Sequence, residues 1–459
     1  MHRIVHLDCK GAPMKIQYLK QVLRLVKSWG ATGILIEWED TFPYSGDIAD
    51  IGSVKNSGGD DMYSAEEVQH IFHFARDINL EAIQLVQTIG HMEFVLKHPA
   101  YRCLREVPSS PAVLCPSRKE SQELVRKMID QALDSQPDAR YFHIGADEVW
   151  HKGECQECRK KLLSNRHQSD GLYLEYIQDL TLYIKRKRPN IVILMWDDML
   201  RPIDENAFKA YILTNIQPVC WNYNSIEYFQ TDFVLWQKYS KIFPKMWAGS
   251  AYKGANGSSK PLAPVARYAG NHEAWLREFA IYKNTINFVG IILTGWARYD
   301  HYATMCELMP VMLPSLASCL RVLMHSNQVP REQLVTEHLS SQEWPGEGLA
   351  LCIHSYVILK DRCHSLLNGD PVSTWLNTWQ VQRGYTVSVH VQSIAYSARI
   401  LLGEVQSLCE NISVHLSAIT GRRSTEEWLH TNIFPLLNKM TELFASADAA
   451  MTRDAGVRP

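Results

Sequence analysis

Residues His143 to Trp150 read His-Ile-Gly-Ala-Asp-Glu-Val-Trp and place two adjacent carboxylates, Asp147 and Glu148, directly after a short apolar run. Their neighbours Phe142, Ile144, Val149 and Trp150 are apolar or aromatic, which argues against an ordinary solvated charge pair. Gly145 lets another group approach the backbone closely, so the pair is expected where a strand gives way to loop. Two carboxyls in such a place suit acid–base chemistry on a glycosidic bond, where one must arrive protonated and the other stay ionised.

Such chemistry needs a rigid frame, and the chain offers one in repeated units. Apolar β-rich runs at residues 4–7, 33–37, 82–87, 142–145, 191–196, 218–221, 245–248 and 290–294 alternate with amphipathic stretches at 15–29, 65–78, 121–133, 172–187 and 265–282. Eight such units in about 320 residues predict an α/β fold, a closed (β/α)8 TIM barrel spanning residues 1–325. An open doubly wound sheet is the alternative, but the glycine-rich phosphate fingerprint it usually carries after the first strand is missing. Beyond about Arg321 the alternation stops. Residues 326–459 are expected to form a C-terminal α-helical domain, with helices over 357–367, 388–413 and 426–445 and a joint near 342–348 around Pro345.

A barrel of this kind keeps its chemistry at the carboxyl ends of its strands. There the chain places Asp8 and Lys10; Glu37, Glu39 and Asp40; Gln87 and His91; Asp147 and Glu148; Trp196, Asp197 and Asp198; Trp221 and Tyr223; Trp247; and Trp296, Arg298 and Asp300. Trp196, Trp221 and Trp296 together can wall a small apolar box. An N-acetyl group on a sugar offers a methyl that wants such a box and an amide that wants polar partners, so indoles beside Asp147 and Tyr223 make a sensible pocket.

The formal net charge of −2 leaves no basic stripe for nucleic acid and no cationic helix for a membrane surface. No stretch reaches the roughly 18 apolar residues of a membrane span. The amino terminus runs straight into a strand-like segment without a secretory pattern, and the 11 cysteines, an odd number, suit a reducing compartment. Cytoplasm or nucleus is therefore the expected location. No cofactor and no metal are implied: Cys155-Gln-Glu-Cys158 has no second pair at zinc-ribbon spacing, and its thiols read as ordinary.

The pattern His-x-Gly-x-Asp-Glu resembles the signature of glycoside hydrolase family 20, the β-N-acetylhexosaminidases. The longer stretches Leu-Val-Gln-Thr-Ile-Gly-His-Met-Glu-Phe-Val-Leu-Lys (85–97), Trp-Asp-Asp-Met-Leu (196–200) and Ile-Ile-Leu-Thr-Gly-Trp-Ala-Arg-Tyr-Asp-His-Tyr (291–302) are similar to its branch without a signal peptide, nearly end to end. The resemblance implies an exo-acting retaining enzyme that removes terminal GlcNAc or GalNAc from glycoconjugates. In it the substrate's own acetamide oxygen, rather than a protein carboxylate, attacks the anomeric carbon and gives an oxazolinium intermediate. Glu148 would then be general acid and base, and Asp147 would hold the acetamide and offset the developing positive charge.

Trp196, Trp221 and Trp296 would line the acetamide pocket, with Asp197 as a further substrate contact. Tyr223, or in its place Tyr252, would bond the acetamide oxygen, and His91 would orient Glu148. Secreted members carry a sugar-gripping arginine after the first strand, where this chain reads Asp8-Cys9-Lys10-Gly11. That leaves Lys10, Glu39, Asp40, Arg298 and Asp300 as candidates for the hydroxyls. A catalytically inactive amino-sugar-binding protein and a conventional glycosidase with a carboxylate nucleophile are the competing readings. The helical domain is expected either to mediate a homodimer or to close over the barrel.

Overall fold

A computed structural model describes residues 1–52, 62–164, 169–211, 213–325 and 343–452. It divides into two compact units, Met1–Pro345 and Gly346–Pro459. The expected domain boundary at 326 and the first residue of the expected joint, Gln342, lie outside the described residues.

In the first unit eight parallel strands close into a barrel: β1 (His2–Asp8), β2 (Gly33–Glu37), β3 (Glu81–Leu85), β6 (Tyr141–His143), β7 (Val192–Trp196), β8 (Ile216–Trp221), β9 (Met246–Lys253) and β10 (Phe288–Gly295). They follow one another around the barrel in chain order, and β1 closes it against β10, with His2 opposite Gly290 and Val5 opposite Leu293. Between β3 and β6 a short antiparallel hairpin, β4 (Arg105–Val107) with β5 (Ser110–Leu114), was not anticipated from the sequence. The helices pack by amphipathic stripes. That of Ile16–Ser28 buries Tyr18, Leu19, Val22, Leu23 and Val26, and Ala65–Asp77 starts on a capping box in which the Ser64 hydroxyl accepts the Glu67 N–H.

Period-two alternation explains how the barrel builds its site. Ile4, Leu35, Ile83, Leu85, Leu194, Trp196, Val219, Trp247 and Ile292 form one buried cluster contributed by seven of the eight strands. Two residues further along, the same faces present His6, Glu37, Gln87, Trp221 and Thr294. The floor is therefore hydrophobic and the next layer is polar and aromatic.

Three strands are one residue shorter than expected, β3, β6 and β7, and β6 shows the reason plainly. β6 ends at His143 because Gly145 and Ala146 adopt left-handed backbone, with φ of 63° and 68°, which breaks the ladder before the carboxylate pair.

The second unit is helical: Glu347–Leu367, Asp370–Trp375, Thr378–Arg383, Ser388–Ile419, Arg422–Asn432 and Phe434–Met451. The helix expected over 426–445 is in fact two. Pro435 lacks the N–H that a continuous helix would require and sits instead in the first turn of the second. Tyr356 packs edge-on against Trp428 at 5.7 Å and donates its hydroxyl to the Asn432 carbonyl, 3.0 Å away. No helix among the described residues is long and apolar enough to cross a membrane.

Candidate active site

A cavity of about 490 Å³ opens at the carboxyl ends of the strands and is lined by Glu37, His91, Asp147, Glu148, Trp196, Trp221, Tyr223 and Trp296 among others. Asp147 and Glu148 leave the barrel on a backbone that few residue types accept. Four of the five left-handed non-glycine residues among those described stand at strand ends here: Glu39, His91, Ala146 and Glu148. Such conformations cost about 1–3 kcal/mol each and persist only where the surroundings enforce them. The Tyr173 hydroxyl holds the Ala146 carbonyl at 2.7 Å, Thr88 holds that of Ile144 at 2.7 Å, and the Trp196 N–H bonds that of Gly145 at 3.0 Å.

Gly145 is also required by space. A Cβ there would lie 1.9 Å from Gln87 Oε1, and Gln87 Nε2 donates to both Asp147 Oδ1 (3.2 Å) and Glu37 Oε1 (3.3 Å). Gly145→Ala is expected to lose about 1–3 kcal/mol of stability through left-handed strain and crowding. It should also lower kcat more than about tenfold as Gln87 releases Asp147. Denaturant unfolding and steady-state kinetics check this, and a variant unchanged in both would show that Gly145 imposes no constraint.

His91 Nε2 lies 3.4 Å from Asp147 Oδ2 and 3.3 Å from Glu148 Oε2. Burial favours the neutral imidazole, but the Asp147 charge and the hydrogen bonds to both carboxylates outweigh it and raise the pKa well above the usual histidine value. The protonated form of His91 is thus favoured, and its ring bridges the two carboxyl groups; the contact with Asp147 was not legible in the sequence. Asp147 is buried, whereas the Glu148 side chain keeps 34% of its surface exposed, so proton exchange with solvent or substrate is open to it. The Glu148 N–H donates to Asp198 Oδ2 at 2.9 Å, and Trp221 Nε1 donates to Asp198 Oδ1 at 3.4 Å. Burial first, then the Asp147 charge, push the Asp198 carboxyl up to about 7.

The aromatic wall is continuous. Trp196 and Trp296 have centroids 5.8 Å apart, Tyr223 lies 6.4 Å from Trp296, and Trp221 stacks on Tyr223 at 5.1 Å with 21° between planes. Arg201 lies 4.8 Å over the Trp221 ring and also binds the Trp221 carbonyl. Burial raises the Tyr223 phenol far above its ordinary pKa, so it stays a hydroxyl donor at neutral pH. Tyr252, the alternative to it, is turned away: its hydroxyl donates to the His6 carbonyl within the barrel.

Asp197 is displaced from its expected place. It is fully buried outside the cavity lining, gripped bidentately by Arg201 at 2.6 and 2.8 Å and bonded by Tyr239, so it fixes Arg201 and Trp221 rather than facing a ligand.

Of the residues considered for hydroxyl recognition, Lys10 and Arg298 border the cavity. Lys10 is buried among Asp8, Glu37 and Glu39, and Arg298 bonds the Lys10, Gly11 and Ala303 carbonyls. Glu39 and Asp40 turn instead to His301 and Lys97, and Asp300 caps the turn at Tyr302 and Ala303. The lining also includes Arg201, Asn222, Asn224, Gln230 and Arg267, which sequence reasoning missed. Only Arg201 had a local signal, standing four residues after Asp197; Asn222, Asn224 and Gln230 lie in the stretch after β8, where no periodicity marks them, and Arg267 stands in the first turn of the helix Val265–Tyr282.

The catalytic-domain pattern of glycosyl hydrolase family 20 matches residues 37–232. The chain is 38% identical to Hexosaminidase D of Homo sapiens over 96% of this chain and 93% of that protein. It is 42% identical to Hexosaminidase D of Bos taurus over 71% of this chain and 92% of that protein. Among solved structures, β-N-acetylhexosaminidase from Bacteroides fragilis NCTC 9343 has a TM-score of 0.53 at 16% identity, covering 70% of this chain and 65% of that one. The Streptomyces plicatus N-acetyl-β-hexosaminidase reaches 0.50 at 13% identity, covering 77% and 67%. This chain spans about two thirds of the length of those two structures, and at such identities they speak for the fold alone. Similarity extending over nearly the whole of both chains carries the assignment further: this chain belongs to glycosyl hydrolase family 20.

Proposed function

We propose that the chain is an exo-acting, retaining β-N-acetylhexosaminidase that releases terminal GlcNAc or GalNAc through an oxazolinium formed by the substrate's own acetamide. The observation that carries this reading is the single His91 nitrogen in reach of both carboxylates. Asp147 and Glu148 are neighbours in the chain and share one imidazole partner. They suit a division of labour. Glu148, partly exposed, gives its proton to the departing oxygen and then takes one from water. Asp147, buried beside the aromatic wall, accepts the acetamide N–H and stabilises the positive charge as the ring closes.

Trp196, Trp221 and Trp296 supply the apolar box for the methyl group, and the Tyr223 hydroxyl is the donor to the acetamide oxygen. We place the enzyme in the cytoplasm or nucleus, a reading that its odd number of cysteines, 11, supports.

Paired aryl glycosides test the mechanism. GlcNAc and GalNAc substrates are expected to turn over, while the matching glucoside falls by more than about 10³-fold, because a well-placed internal nucleophile is worth effective molarities of about 10⁵–10⁸ M. A glucoside cleaved within tenfold of its N-acetyl counterpart would favour a protein nucleophile instead. No hydrolysis of any of the three would favour a binding protein.

A further inference from the structure

The cysteine pair after the catalytic loop is not isolated in space. Cys155 and Cys158 stand at the start of the helix Gln156–Ser164, and Cys115, directly after β5, brings its sulfur to 3.2 Å from Cys155 Sγ and 3.6 Å from Cys158 Sγ. Glu106 of β4 completes the group, its Oε2 3.2 Å from Cys158 Sγ. One ligand atom from each of the four residues lies within 4.8 Å of every other. A tetrahedral zinc with metal–sulfur bonds of about 2.3 Å has edges of about 3.8 Å, which falls inside the observed spread. The sulfurs are too far apart for a disulfide, whose bond is about 2.05 Å.

Three further features distinguish this cluster from thiols packed as small hydrophobes. The Cys158 N–H donates to Cys155 Sγ at 3.3 Å, a bond that stabilises a thiolate at a Cys-x-x-Cys turn. Glu106 is a buried carboxylate with no ion pair to a basic side chain among the described residues. Its Oε1 is instead oriented by the N–H groups of Glu154 and Cys155, at 2.6 and 3.1 Å, which leaves Oε2 turned toward the sulfurs. Such a carboxylate lacks a positive partner, and burying it that way is costly unless a cation joins it.

We propose that Cys115, Cys155, Cys158 and Glu106 bind one Zn(II) as a structural centre. Three thiols lose their protons to solvent as the ion enters, and three thiolates with one carboxylate close a four-coordinate shell. Soft sulfur donors select zinc over magnesium or calcium, and the carboxylate disfavours Cu(I). The ligands come from the hairpin inserted after β3 and from the loop that leaves Glu148 after β6. The ion therefore staples the residues following the proposed catalytic acid to a neighbouring element of the barrel.

The test uses the full chain, purified without a metal-affinity tag. Elemental mass spectrometry is expected to find about one zinc per chain, and apo-protein titrated with Zn(II) against a chromophoric chelator should bind at about 1 nM or tighter. Co(II) loading should give thiolate-to-cobalt charge-transfer bands and the visible bands of a tetrahedral ion. Cys115→Ser and Cys155→Ser should each lose the metal, Glu106→Gln should weaken it by about 10-fold or more, and Cys352→Ser, a thiol of the other unit, should retain it.

Removing zinc from the wild-type chain should also lower its thermal midpoint, a measurement that stands even if the serine variants do not fold. A folded wild-type chain that carries no zinc and takes up neither ion would overturn the proposal, as would a Cys115–Cys155 disulfide in the native protein.

Discussion

Glu148→Gln is expected to lower kcat/KM on a disaccharide ending in GlcNAc or GalNAc by about 10²–10⁴-fold, the usual worth of a positioned general acid and base. The substitution keeps the volume and removes the transferable proton. Because the side chain is about one-third exposed, the thermal midpoint should barely move. The size of the loss should follow the leaving group. A nitrophenolate departs with little protonation, so the first step survives better on an aryl glycoside, and the deficit shifts to the water step that opens the oxazolinium. A disaccharide hydrolysed at wild-type rate would remove Glu148 from the mechanism.

Asp147→Asn should cost about 10²–10³-fold in kcat with a much smaller change in KM, because the lost interaction strengthens only as positive charge develops. The amide oxygen can still accept from Gln87 Nε2, so the geometry seen at 3.2 Å survives while the charge does not. His91 loses the first of the carboxylates that hold its proton, and its pKa should fall. Imidazole titration followed by NMR reads this directly. If the variant raises KM alone, Asp147 binds the ground state and leaves the transition state unassisted.

The positions of the eight barrel strands were legible because inward-facing residues such as Leu35, Leu194 and Ile292 must be apolar wherever a barrel floor is filled. The carboxylate pair and the three tryptophans were legible for the related reason that costly residues recur at strand ends. What escaped notice depended on backbone or on distant partners. Nothing in the order Gly-Ala-Asp-Glu announces that Ala146 and Glu148 turn left-handed.

Of the two aspartates after Trp196, the sequence marked Asp197 as a substrate contact and gave Asp198 no role. Asp197 turns under the site to Arg201, and Asp198 meets the Glu148 N–H. The thiol cluster was invisible because Cys115 lies 40 residues before Cys155 and Glu106 is not part of any cysteine spacing.

The pairing of residues 2–5 with 290–293 has a consequence for synthesis. A nascent chain made at about 5–20 residues per second holds its first strand unpaired on that side for roughly 15–60 s, until the last strand leaves the ribosome. In that interval two sheet edges stand open, and Asp8 lacks the Ala297 N–H it later accepts at 2.7 Å. The sugar-binding chamber thus matures in one late event, and a nascent chain stalled before that strand emerges offers adhesive edges to its neighbours on the same message.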